Sequence, residues 1–447
     1  MPIRSWSANL KVRLLGEALF NMLFWMYFPF ITVYFGDAFG NGIAGLLMTV
    51  PPLFSLIGSL AGGAMADRLG RRPVMLAGTT LQTLMFALFA LSPSPWVDYA
   101  AFIGIGLAGA VYRPASTAMV ADLVPVQHRR QVFATYTTAN NIGAVLGPAI
   151  GAVLFFRYRQ ELLWACSGVM LLYFSAIFLT VRETLPASAG RNPAAVSADS
   201  REGTAALPVP PVSSGPFAFP LSSIVQAFVR QMKGYGVIFR DKVFLVYSLA
   251  GIFSLVPILQ LDMYLAVYIT NHVPAQAIFP WHGAPVLSGK AIFGWLLGFN
   301  GLLFVLFILP VTNWFHGWRE RDVFILSSLL SGVGTFLVGV YSNFWYLFVI
   351  TIVFTFGEMV RSPVSQSFIA RYAPEHARGQ YMGADNLQYT FGKFLAPLTV
   401  FLSGWLPPMA IFSVILGFAA VSIGFYVWLF KIYREPSQQA DSAMGTD

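Results

Sequence analysis

The sequence predicts an all-α membrane protein with twelve transmembrane helices in two pseudo-symmetric six-helix bundles, and three observations carry that expectation. Of 447 residues, 57% are hydrophobic and only 10% are charged, whereas soluble domains are about 25% charged; the mean hydropathy is +0.67. Uncharged runs such as 42–65, 74–91, 323–340 and 347–357 recur along the chain, and roughly 20 apolar residues let a helix cross a bilayer. The second half also repeats landmarks of the first. Gly109 and Arg113 answer to Gly357 and Arg361, Pro125 and Arg129 to Pro374 and Arg378, and Gly143 and Pro148 to Gly392 and Pro397.

Taken in order, the spans are expected near 12–36, 42–66, 73–92, 97–121, 132–156 and 161–181, then 243–270, 290–314, 322–342, 344–370, 380–404 and 406–432. The first is expected to stay as a span, because no small-residue cleavage site follows it. Residues 1–185 make the first bundle and 243–447 the second with its tail. Residues 186–242 form a cytoplasmic linker. Its first part, Pro186 to Pro220, is rich in Ala, Pro, Ser and Gly. Beyond it, Phe228, Met232, Tyr235 and Phe239 recur at helical spacing with basic residues elsewhere on the turn, which suits a helix on an anionic membrane surface.

The formal charge of +8 is explained by topology. Most Lys and Arg stand at the two ends or in every second loop, among them Arg68, Arg71, Arg72, Arg129, Arg130, Arg182, Arg319, Arg321, Arg371, Arg378, Lys431 and Arg434. The alternate loops hold Arg157, Arg159 and Lys290. This positive-inside pattern puts both termini in the cytoplasm of a multi-pass protein of the cell membrane. A soluble enzyme and a nucleic-acid-binding domain are excluded, and the lipid bilayer is the main partner. Cys166 is the only cysteine, so no intramolecular disulfide forms.

The loop after the second span reads Gly62-Gly-Ala-Met-Ala-Asp67-Arg68-Leu-Gly70-Arg71-Arg72. Glycines permit a tight turn, and Asp67 can bond helix-end amides or an arginine; with Asp122 and Arg129 after the fourth span, these residues suit a conformational gate. The fifth span carries Gly143, Gly147, Pro148 and Gly151, small residues for close helix approach and a proline for a bend. The first run resembles the conserved loop of the major facilitator superfamily. The second resembles the antiporter motif of its drug-exporting members, with Ala134 and Ala152 where that motif has glycine. The resemblance to drug:proton antiporters covers nearly the whole chain, and implies alternating access with a substrate site between two repeats.

Ionisable residues inside spans are costly and point to function. Glu17, Asp262 and Glu358 are the proton-coupling candidates, because a carboxyl taken out of water is easier to protonate and can carry a proton across. Asp262 and Glu358 also resemble the acidic positions of a multidrug facilitator, whose fifth-span acid is replaced here by Asn140 and Asn141. Local pairing is open to both Arg13 with Glu17 and Glu358 with Arg361, at helical spacing. Asp385, near a helix entrance, is a weaker candidate. For substrate, Arg113, Arg361, Asn141, Tyr112, Tyr264 and Lys393 are the expected ligands, with Trp25 as a further aromatic. The arginines either hold an anionic group or neutralise buried acids. No nucleotide loop, metal-ligand pattern or catalytic constellation is evident, so neither cofactor nor metal nor enzyme activity is expected. The function expected is proton-coupled export of amphipathic small molecules by a protein acting as a monomer. The alternative is a dedicated exporter or flippase for an anionic or zwitterionic lipid, peptide or siderophore.

Overall fold

The computed structural model describes residues 3–184, 238, 240–315, 317–374 and 378–433. The linker from Pro186 to Pro220 and the expected surface helix through Phe228, Met232, Tyr235 and Phe239 lie outside these residues.

Helices fill each of the twelve expected spans. They are α1 (Ala8–Phe39), α2 (Asn41–Met48) running on into α3 (Pro51–Leu69), α4 (Arg71–Leu91), α5 (Pro95–Leu123), α6 (Val126–Leu154) and α7 (Arg159–Thr180). After the linker come α8 (Lys242–Ile258), a 3-10 turn (Leu259–Asp262) and α9 (Tyr264–His272), which together make the seventh pass. Then follow α10 (Gly289–Trp314), α11 (Glu320–Val338), α12 (Phe344–Tyr372), α13 (Arg378–Leu395) with α14 (Leu398–Leu402), and α15 (Pro408–Ile432). Among the described residues, nine helical stretches are long and apolar enough to cross a membrane on those grounds alone. The other three passes, α5, α6 and α13–α14, are diluted by polar residues such as Arg113, Asn140, Gln388 and Lys393. A small antiparallel hairpin, β1 (Gln276–Ala277) with β2 (Val286–Leu287), closes the loop before α10.

The chain divides into two compact units. The first comprises 1–19, 53–140 and 160–233, and the second 20–52, 141–159 and 234–447. The first unit's core holds a cluster of Trp6, Leu10, Val120, Val124, Val132 and Tyr136. The second unit's includes Phe244, Tyr247, Phe324, Phe368 and Tyr426, all buried.

Two features shape the second unit. In α6, Gly147 and Gly151 lie against the backbone of α1 at Met22 and Met26, where a Cβ would collide. Close approach is what small residues four apart permit. Ala152, where the motif has glycine, fits because Gly294 of α10 lacks the Cβ that would strike its methyl. The second feature is a pair of helix breaks. The seventh pass stops being α-helical after Ile258, one residue beyond Pro257, and the eleventh breaks between Leu395 and Leu398, at Pro397. Proline removes a backbone donor and frees a carbonyl, and non-helical backbone inside a membrane protein must be satisfied by other groups. One side chain serves both breaks. Gln260 donates to Val256 O at 3.0 Å and to Ala396 O at 3.5 Å, and its Oε1 accepts from Thr399 Oγ1 at 2.8 Å and Tyr264 N at 3.4 Å.

Candidate functional site

The seventh-pass break sets the place of the first acid. Asp262 ends the 3-10 turn, and Met263 takes φ −118°, ψ −105° before α9 begins. The Asp262 carbonyl, freed by the break, accepts a hydrogen bond from Thr32 Oγ1 of α1 at 3.0 Å. Its carboxyl faces a cavity of about 400 Å³ within the second unit. Among the described residues nothing hydrogen-bonds the buried Oδ1.

Glu358, on α12, lines the same cavity and lies close enough to Asp262 for the two charges to interact. Asn300 of α10 is placed beside Glu358 and donates to Thr355 Oγ1 at 2.8 Å. Asp385, Gln388 and Tyr389 of α13 complete the polar wall, and Trp25, Leu255, Ile258 and Leu297 supply apolar surface. The cavity thus combines three carboxyls with a single guanidinium, that of Arg361.

Arg361 does not answer Glu358. Its Nη2 donates to Gln388 Oε1 at 3.2 Å, and Gln388 Nε2 donates in turn to Asp385 Oδ1 at 2.7 Å. The expected local pair between Glu358 and Arg361 is therefore replaced by a relay to α13, because a glutamine on another helix meets the guanidinium in the packed unit. The expected pair in α1 does form: Arg13 bonds Glu17, and its guanidinium lies 5.2 Å from the ring centre of Tyr136.

The remaining expected substrate ligands divide between the two units. Tyr112 is buried in the first unit, its hydroxyl 2.6 Å from that of Tyr173. Tyr264 is 1% exposed and packs on the rings of Tyr268 and Phe412. Both are packing aromatics, because each ring is enclosed by neighbours in its own unit. Arg113 is exposed on α5. The side chain of Asn141 lies outside the described residues. Lys393 sits near Asp262, over aromatic rings. Sequence reasoning did not find Asn300 or Gln388, and gave Asp385 little weight; the only available signal was that all three are polar residues in apolar helices.

The expected gate residues gather in the first unit. Arg71 is nearly buried; its Nη1 reaches Asp67 Oδ1 at 2.8 Å and Ala66 O at 2.6 Å, and its Nε reaches Asp122 Oδ2 at 3.2 Å. Gly70 takes φ +102°, a conformation other residues avoid. This opens the start of α4 to Glu183, whose carboxylate accepts the backbone N–H groups of Arg71 and Arg72 at 2.9 and 3.0 Å. A carboxylate at a helix N-terminus satisfies donors that have no partner inside the helix. Arg72 donates to Phe178 O, and Arg129 donates to Val124 O and Ala121 O at the end of α5. Arg68 is exposed. No cluster of metal-ligating side chains occurs among the described residues.

A many-span helical protein with a polar cavity lined by broken and kinked helices suits a membrane transporter. The chain belongs to the Major Facilitator Superfamily, whose family model matches residues 14–273 and 277–445. It is 37% identical over 439 residues to a "Na(+), Li(+), K(+)/H(+) antiporter" of Planococcus maritimus, covering 97% of this chain and 98% of that one. It is 25% identical over 382 residues to the multidrug resistance protein MdtH of Proteus mirabilis, covering 85% and 82%. Among solved structures, a POT family transporter in complex with 5-aminolevulinic acid superimposes with a TM-score of 0.71 at 16% identity, covering 96% of each chain. A peptide transporter POT mutant in complex with alafosfalin gives 0.73 at 16%, covering 97% of this chain and 95% of that one. These structures share the fold.

Proposed function

We propose that this protein is a proton-coupled antiporter that exports positively charged cargo from the cell, with Asp262 and Glu358 holding proton and cargo in turn. The observation that carries this reading is the chemistry of the cavity. Two carboxyls within electrostatic reach share it, and Arg361 is directed to Gln388 rather than to either of them. Ionisable groups inside spans without a salt bridge are costly and therefore point to function. A pair of like charges cannot easily ionise together, so the cavity favours holding either protons or a cation. The name of the Planococcus relative supports inorganic monovalent cations as cargo.

A second reading, amphipathic organic cations, is favoured by Trp25, Tyr389 and the leucines of the same wall, by the 400 Å³ of space, and by the MdtH relatives. An anionic cargo held by Arg361 and Arg113 is disfavoured, because Arg361 is already engaged with Gln388 and near Asp385. In this reading the protein works as a monomer by alternating access, its two halves 1–185 and 243–447 joined by a cytoplasmic linker. Both termini are cytoplasmic.

Reconstituted vesicles with a trapped pH indicator test it. Adding Na⁺, K⁺, Li⁺ or a lipophilic cation to acid-loaded vesicles should release protons from wild type and not from Glu358→Gln. Equal proton release by both would move the coupling site elsewhere, and release driven only by anions would overturn the reading.

A further inference from the structure

Lys393 of α13 carries an ammonium group within the eleventh pass. Its Nζ lies 4.6 Å from the ring centre of Tyr389, 5.7 Å from that of Phe28 and 6.0 Å from that of Phe24. Tyr389 stands one turn earlier on the same helix, and Phe24 and Phe28 stack on each other in α1 with centres 4.5 Å apart. All four residues belong to the second unit. Among the described residues Nζ makes neither a hydrogen bond nor an ion pair within 4 Å; the rings lie beside it, and Asp262 is the carboxyl whose charge it feels. A cation against several ring faces is the arrangement by which aromatic cages hold alkylated ammonium groups. Tyr389 is also a wall of the cavity that holds Asp262 and Glu358.

We infer that Phe24, Phe28 and Tyr389 form a subsite for the charged head of a lipophilic organic cation, and that Lys393 is its built-in occupant, which cargo must displace. The inference rests on the reading of a cationic cargo and adds where such a cargo sits and what it competes with. A lysine suits this role. Its ammonium is a point charge on a flexible four-carbon stem, so it can fill the box in the empty protein and withdraw when a permanently charged head enters. Lys393 then acts as a threshold: small hydrated cations that cannot use ring faces do not displace it, and they bind at the carboxyls instead.

Equilibrium binding of tetraphenylphosphonium to the purified full-length protein tests this. Lys393→Met, which keeps the apolar stem and removes the competitor, should bind the probe roughly three- to thirty-fold more tightly, the span that a cation over aromatic faces is worth. Lys393→Arg should stay near wild type, because a guanidinium also rests on rings. The gain should vanish when Tyr389→Leu is added to Lys393→Met, and triphenylphosphine oxide, neutral and similar in size, should bind all variants alike. Should Lys393→Met fail to fold, Lys393→Gln takes its place. Unchanged or weaker binding by the neutral variant, or a gain that survives loss of Tyr389, overturns the inference. Wild type that binds the probe yet moves no protons with any cation would overturn the antiport reading and leave the box standing.

Discussion

The charged loop of the first unit and the cavity of the second use the same residue types to opposite ends. Around Arg71 the guanidinium has Asp67, Asp122 and a backbone carbonyl, and Glu183 caps the adjoining helix. In the cavity, Asp262 has a carboxyl oxygen with no hydrogen bond and Glu358 has no basic partner among the described residues. A saturated network fixes one arrangement of its helices, and breaking it costs energy. Carboxyls left open can change their charge or their ligand without dismantling anything. On the proposed reading, the contrast separates a structural or gating use of charge from a transport use.

The largest effect that would sharpen this comparison is expected at Glu358. Glu358→Gln should fold and unfold like wild type, yet its cation-driven proton release should fall to that of protein-free vesicles, since the amide keeps the size but cannot titrate. A change in thermal stability as large as the loss of transport would erase the distinction. In the first unit the order reverses. Arg71→Ala removes a nearly buried guanidinium and strands its partners, and should cost about 1–3 kcal/mol of stability, read by thermal unfolding in detergent. Arg361→Gln comes next. Because the guanidinium is engaged by Gln388, transport of every substrate should fall by the same factor; a loss confined to anionic substrates would reopen the anionic reading. Asp67→Asn is the smallest, under about 1 kcal/mol, because its side chain is 74% exposed and exposed pairs contribute little. Spin labels on the ends of α3 and α11 should nevertheless report a shifted conformational balance, and unchanged distances would remove Asp67 from the gate.

What the sequence made legible followed from local rules. Hydropathy placed the helices because the bilayer imposes a length, and the pair of Arg13 with Glu17 was readable because residues four apart share a helix face. Glu358 and Arg361 satisfied a similar spacing rule and still did not pair, since Gln388, 27 residues further on, captured the guanidinium. Glu183 could not be foreseen as the cap of α4, from which it is separated by more than 100 residues. Tyr112 and Tyr264 looked like cavity aromatics because composition cannot say which face of a helix meets a cavity. The substitution of Ala152 for glycine looked like a defect in the antiporter motif until Gly294 was seen opposite it. In each case the missing information was which helices are neighbours.

Gln260 has a mechanical consequence. Its one amide group bridges the interruptions of two separate passes, and Thr399 and Tyr264 are fastened to the same carbonyl oxygen. Straightening or swinging either pass would strip partners from the other, so the amide couples the two joints. The amide is a rivet through two joints, and it gives any motion begun at Asp262, two residues along, a direct route to the helix that carries Asp385, Gln388 and Lys393.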